Sequence, residues 1–342
     1  MNKPNVLTSL YTAVTAALAG GDTILEVVRA GDASPETKQD GTPVTEADKQ
    51  AEEAILAVLR ESRPTWPLVA EELWDRRRAA AASGRSETGP GETAPGPSDP
   101  GGHDSEALWW AVDPLDGTKE FVKGLPEYTV NVALLRGRQP ILGVVYLPAF
   151  DRLYAGMAGY GAWRVDHASL GPPLGAPEAG IGRNPDADPE PVPDHWVPLP
   201  FPRPGAAFGA PVGLRAPTDA GAPTPPRTTV AVSRSHGTED TADFLRRLEA
   251  SGLPVTEYPL GSSAKFCAAA EGIADCYPRF TSTKVWDCAA GAAVLLSAGG
   301  TVTDHAADRV VFDPVELLLP PLVAFRPGAP AALTDTVYAH LA

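Results

Sequence analysis

Leu10, Val14 and Leu18 recur at a spacing of four, which predicts an amphipathic first helix within "MNKPNVLTSLYTAVTAALAG". Threonines and Ser9 interrupt its apolar run, so the segment reads as an ordinary helix and not as a signal peptide. Ala47, Ala51, Ile55 and Leu59 form a second helical stripe, preceded by Thr45 and Asp48 in the spacing of a capping box. The run Leu108–Val112 reads as a strand. Tyr128–Leu135, a turn at 137–139 and Ile141–Leu147 read as a hairpin. From residue 228 the pattern alternates: strand "TTVAVS", a helix over about 238–250, strand "VTEYPL", a helix around 264–271, and the small-residue helix "WDCAAGAAVLLSAGG" ending at Gly299 and Gly300. These elements predict layered α and β structure, hairpin-rich in the first half and alternating in the second.

Two segments break the pattern. Residues 78–106 and 166–228 are rich in Pro, Gly and Ala and read as mobile insertions that bury no core. They divide the chain into an N-terminal α+β unit (1–165), a linker or insertion (166–228) and a C-terminal α/β unit (229–342). Composition then narrows the partners. With 28 Lys and Arg against 43 Asp and Glu, a net charge of −15 offers no basic face for nucleic acid. No stretch approaches the length of a membrane span, so stable membrane insertion is not expected. Cys267, Cys276 and Cys288 are odd in number and form no CxxC, which suits reduced thiols in a cytoplasm.

The candidate chemistry begins at "WAVDPLDGTKEF", where a strand runs into Asp113 and Asp116. Proline between them reads as a turn that swings Asp116 back beside Asp113, and Gly117 allows backbone to approach a ligand. Two carboxylates this close repel unless protonated or bridged by a hard cation, for which Mg2+ is suited. The plain alternative is an acidic surface turn. "WPLVAEELW" sets Glu71 and Glu72 after a strand-like run, and "TKVWDCAAG" sets Asp287 at a helix start. Each alone could be solvated acid or dipole compensation. There is no G-x-x-x-x-G-K-[ST], the histidines lack zinc spacing, and Gly156, Gly159 and Gly161 read as turn glycines. Trp109 and Trp110 read as core residues and not as a base-stacking platform.

Taken together, the Asp48 stretch, the acidic pair, D-P-L-D-G-T and W-D-C-A-A-G resemble the magnesium-dependent, lithium-sensitive phosphatases of the inositol monophosphatase superfamily. The resemblance spans nearly the whole chain outside the two insertions. "DGTKEF", "GVVYLPAF", "SRSH" (233–236) and "GSSAKFCAAAEGIADCYPR" (261–279) are similar, within it, to the 3'(2'),5'-bisphosphate nucleotidases of the bacterial CysQ type. The resemblance implies the layered α-β-α-β-α sandwich of the inositol monophosphatase and fructose-1,6-bisphosphatase type, in a monomer or homodimer. It implies removal of the 3'-phosphate from adenosine 3',5'-bisphosphate, a small nucleotide, with two or three Mg2+ ions as cofactor. Glu71, Asp113, the Leu115 carbonyl, Asp116 and Asp287 are the implied metal ligands, and Asp48 and Thr118 the implied orienters of the attacking water. Gly117 and Thr118 are implied to cradle the reacting phosphate, and His236, Ser262, Lys265 and Arg279 to hold the nucleotide and its second phosphate. For Arg279 the structural alternative is an ion pair with Glu271 or Asp275. Two other functions remain open at this point: an inositol phosphate or fructose 1,6-bisphosphate phosphatase of the same superfamily, and a catalytically silent nucleotide or Mg2+ sensor. Both insertions depart from the family pattern.

Overall fold

In a computed structural model the structure describes residues 6–31, 34–38, 41, 43–62, 65–82, 106–166, 196–199, 227–235 and 239–341. The helices among them are α1 (Val6–Ala30), α2 (Glu46–Glu61), α3 (Glu71–Ala82), α4 (Thr118–Val122), α5 (Glu239–Ala250), α6 (Ala264–Ala270), α7 (Val285–Ser297) and α8 (Ala331–Tyr338). Strands β1 (Glu36–Thr37) and β2 (Pro43–Val44) pair with each other ahead of α2.

The main sheet has seven strands in sequence order: β3 (Leu68–Ala70), β4 (Leu108–Asp116), β5 (Thr129–Arg136), β6 (Gln139–Leu147), β7 (Arg152–Met157), β8 (Gly161–Asp166) and β9 (Val197–Leu199). Only β3 and β4 run parallel; the rest is an antiparallel meander. The second sheet, in the order β11-β10-β12-β16-β14, joins β10 (Thr228–Ser233), β11 (Val255–Leu260), β12 (Cys276–Arg279), β14 (Thr301–Asp304) and β16 (Leu322–Phe325). A small ladder of β13 (Thr283–Lys284) and β15 (Leu318–Leu319) precedes α7.

Three buried clusters define the layers. Leu10, Val14 and Ile24 of α1 and Ile55 and Leu59 of α2 pack with Val130, Val132 and Tyr146 on one face of the main sheet. On its other face Ala133, Val145 and Tyr154 join Phe266 of α6, Ala290 and Val294 of α7, and Ala231, Tyr277 and Ala324 of the second sheet. Beyond that sheet Phe244, Leu248 and Val337 of α5 and α8 close the last layer with Val230, Val323 and Phe325. The result is the expected α-β-α-β-α sandwich. Its central strands are covered on both faces, which is why they read as continuous apolar runs without alternation.

The small residues of "AAGAA" in α7 have a packing reason. A Cβ on Gly143 would lie 2.2 Å from the Ala290 carbonyl oxygen, and one on Gly156 would lie 2.5 Å from Val294 Cα, so β6 and β7 accept the helix only through glycine. Gly156 is therefore a strand residue at a close approach and not a turn glycine; Gly159 and Gly161 do adopt positive φ beside the β7–β8 turn.

Two further readings are corrected. Residues 78–82 continue α3, and Val197–Leu199, inside the segment read as an insertion without a core, pairs with β8. Trp196 is buried against Trp163 with ring centroids 6.0 Å apart, so a single aromatic anchors this piece despite the proline-rich composition around it. Trp109 and Trp110 are both buried in the core.

Candidate active site

The acidic pair is built by a β-bulge. Asp113 pairs with Asn131 and Asp116 with Thr129, so β4 advances three residues while β5 advances two. Residues three apart in a regular strand point to opposite faces; the extra residue in β4 restores both aspartates to one face. The expected proline turn is thus absent, and β4 runs on through Pro114 to Asp116, because Pro lacks only the N–H that a bulge leaves unpaired. Gly117 follows at φ 92 and caps α4, placing Thr118 at the first helical position. The Thr118 hydroxyl lies 3.1 Å from Asp48 Oδ1 and 3.2 Å from the Leu115 carbonyl oxygen. Asp48, the capping acid of α2, accepts the Thr45 N–H (2.7 Å) and hydroxyl (2.6 Å) on Oδ2. Capping and site geometry are therefore two jobs of one side chain.

Glu71 starts α3 directly after β3, and Asp287 lies in the first turn of α7, where its Oδ2 accepts the Thr283 hydroxyl and, at 3.1 Å, the Lys284 N–H. One pocket is lined by Glu71, Asp113, Leu115, Asp116, Gly117, Thr118 and Asp287 together with Lys119, Ser262, Ser263, Lys265, Tyr277 and Arg279. Asp113 is held well above the usual carboxylate range, first by burial and then by Glu71, Asp116, Asp287 and Asp48, all of the same sign. Burial and Asp287 likewise raise Asp116, against the opposing pull of Lys265, the Ser263 hydroxyl bond and Arg279. Burial also raises Asp48 and Glu71. Among the described residues the acids converge without closing into a finished metal cage. Such a set of buried, like-charged hard oxygens fits a divalent cation, whose charge removes their repulsion.

The same pocket also holds cations. Arg279 donates to the Tyr277 hydroxyl at 3.4 Å, and its buried Nε has no hydrogen-bond partner among the described residues. Neither proposed acid holds it: Glu271 bonds Tyr154 and Arg164, and Asp275 bonds Arg326. Lys265 is buried, its pKa pushed down to about 8 by burial. Its ammonium donates to the carbonyls of Ser262 (2.7 Å) and Leu260 (3.3 Å), so it braces the turn in which Ser262 adopts φ 49. Arg234 of "SRSH" makes a two-pronged bond to Glu127 (2.6 and 2.7 Å), while His236 lies outside the described residues.

Four residues escaped the sequence reading. The Ser263 hydroxyl sits 2.9 Å from Asp116 Oδ2 and 2.7 Å from the Asp287 carbonyl, and accepts from Asn131 Nδ2 at 3.0 Å. Lys38 Nζ binds Glu71 (2.8 Å), Glu72 (2.6 Å) and Asp75 (3.1 Å). Glu52 holds the start of α3 from within. Ser263 lies within the "GSSAKFCAAAEGIADCYPR" stretch, to which the resemblance gave it no role of its own; the other three carry no sequence signal beyond being polar residues.

The model of the inositol monophosphatase family matches residues 6–174 and 216–334. The chain belongs to this family. As a family member it is a phosphatase, and the pocket just described sits on the matched segments. It is 32% identical over 287 residues to the 3'(2'),5'-bisphosphate nucleotidase CysQ of Salmonella typhimurium, covering 83% of this chain and 85% of that protein. A fructose-1,6-bisphosphatase/inositol-1-monophosphatase of Aquifex aeolicus is 36% identical over 160 residues, 46% of this chain and 51% of that one. The crystal structure of CysQ from Bacteroides thetaiotaomicron aligns with a TM-score of 0.64 at 28% identity, over 95% of this chain and 99% of that chain.

Proposed function

We propose that this phosphatase hydrolyses the 3'-phosphate of adenosine 3',5'-bisphosphate to AMP and phosphate, with Mg2+ as cofactor. The observation that carries the reading is one pocket that brings the acids Glu71, Asp113, Asp116 and Asp287 together with the cations Lys119, Lys265 and Arg279. A nucleotide with two phosphates needs both, acids to hold a cation at the phosphate that reacts and cationic side chains for the phosphate that does not. The similarity to CysQ nucleotidases over most of both chains supports the same substrate class.

Glu71, Asp113, Asp116, Asp287 and the Leu115 carbonyl are the donors that would hold Mg2+. Bound there, such ions would supply Lewis acidity for activating a water and stabilising the leaving oxygen. The chain's own residues set the geometry. With Thr118 donating to Asp48 Oδ1, the hydroxyl oxygen is free to accept a hydrogen bond from water, and the proton released in the attack moves along Thr118 Oγ1 toward Asp48. Ser263 and Asn131 keep Asp116 turned into the pocket. Arg279 lines the pocket, and its buried Nε has no hydrogen-bond partner among the described residues, which leaves its guanidinium with donor capacity for an anion. Li+ inhibition and a cytoplasmic site of action belong to the same reading.

The test is a comparison on two substrates. Arg279→Ala should raise KM for adenosine 3',5'-bisphosphate by roughly tenfold to a hundredfold, the worth of a charge-assisted bond to a non-reacting group. It should leave 3'-AMP hydrolysis nearly unchanged. Equal losses on both substrates would remove Arg279 from the 5'-phosphate.

A further inference from the structure

Glu52 is fully buried in α2, among Ala51, Ile55, Leu56 and Leu59. It lies four residues after Asp48, hence one turn along the same face of the helix. Its Oε2 accepts the Leu73 N–H at 3.0 Å and its Oε1 accepts Arg76 Nη2 at 2.9 Å. Those partners lie in the first two turns of α3, whose first residue is Glu71. The first N–H groups of a helix have no partner within it, and a carboxylate placed there satisfies them and complements the dipole. No loop separates β3, which ends at Ala70, from Glu71. The direction in which Glu71 leaves the backbone therefore depends on where the first turn of α3 is anchored. Glu52 anchors it through the Leu73 N–H, and Lys38 gathers the Glu71 and Glu72 carboxylates.

We propose that Glu52 is a positioning residue that holds Glu71 in register with the Asp48–Thr118 pair, α2 acting as the ruler between them. Asp48 reaches Thr118 from one turn of that helix, and Glu52 reaches α3 from the next. Stability alone does not account for a carboxylate here. Its buried neighbours on α2 are apolar apart from Asp48, a buried charge is costly to desolvate, and Arg76, its cationic partner among the described residues, keeps 45% of its side chain exposed. What the carboxylate adds is a fixed distance between two parts of the pocket. The proposal rests on reading that pocket as a cation-dependent phosphatase site.

The experiment is calorimetric titration of Mn2+, in place of Mg2+, into folded wild type, Glu52→Gln, Glu52→Ala and Arg76→Ala, with kcat and KM measured at saturating metal. Gln keeps one acceptor oxygen for the Leu73 N–H and presents a donor in place of the other. Glu52→Gln should bind Mn2+ several-fold more weakly and Glu52→Ala more weakly still, by roughly tenfold or more, as found when groups that orient metal ligands are removed. In both, kcat should fall while KM stays near that of wild type, because Lys265 and Arg279 are untouched. Arg76→Ala, which removes one of the two bonds through which Glu52 holds α3, should weaken Mn2+ binding by no more than Glu52→Gln does. Wild-type Mn2+ affinity in Glu52→Gln overturns the proposal, whether or not Glu52→Ala folds. A wild type that binds no Mn2+ overturns instead the reading of the pocket on which the proposal rests.

Discussion

Thr118 Oγ1 lies 3.1 Å from Asp48 Oδ1, joining the first turn of α2 to the first residue of α4 across seventy positions of sequence. Asp48 meets this hydroxyl with one oxygen while the other caps its own helix. Thr118→Ala should lower kcat by about 10²–10⁴-fold, the range for a lost proton-transfer group, with little change in melting temperature. Asp48→Asn should lose as much, because its amide presents a donor where Thr118 needs an acceptor or Thr45 does. Parallel kcat and thermal melting measurements check both. A Thr118→Ala enzyme within a few-fold of wild type would remove the pair from proton transfer.

How far this was legible in the sequence differs from residue to residue. Asp48, Glu71, Asp113, Asp116 and Asp287 stood out because acids at strand ends and helix starts recur in a resembling order. The bulge that aligns Asp113 and Asp116 was not legible: Pro114 signals a turn as readily as a break in strand pairing, and only the register against Asn131 and Thr129 decides. Ser263, Asn131 and Lys38 reach the site through contacts distant in sequence, which no local period encodes. Lys265 was recognised as a pocket residue, but its bonds to Ser262 and Leu260 depend on burial that sequence does not display.

The glycines under α7 predict a stability effect. Gly156→Ala forces a Cβ against the backbone of Val294, which cannot yield as a flexible side chain would. The expected cost is about 1–3 kcal/mol, the usual range for overpacking. Chemical denaturation of the variant measures it. Unchanged stability would contradict the tight seat of α7 on β7.

A pH dependence follows from Glu52. Burial pushes its pKa up to about 7, against the opposing bonds from Leu73 and Arg76, from an ordinary value of 4.5. The folded chain thus holds the Glu52 proton more tightly than the unfolded chain. This contribution stabilises the fold as pH falls from about 7 to 4.5 and is lost as pH rises through about 7. Gln carries no charge at any pH. The melting temperature of Glu52→Gln minus that of wild type, in metal-free buffer, should therefore grow more positive between pH 5 and pH 8, values chosen to bracket about 7. A difference that is flat or falls with pH would show that Glu52 is not held above its ordinary range.

The most direct measurement for the whole account is phosphate release with Mg2+ from adenosine 3',5'-bisphosphate, inositol 1-phosphate and fructose 1,6-bisphosphate at matched concentrations, comparing wild type with Asp113→Asn. The highest kcat/KM is expected on the bisphosphate nucleotide, with AMP as its product, and Asp113→Asn should lose nearly all turnover, because it removes a charge from the shared carboxylate face. Preference for either of the other substrates, or near-normal turnover by Asp113→Asn at saturating Mg2+, would contradict it.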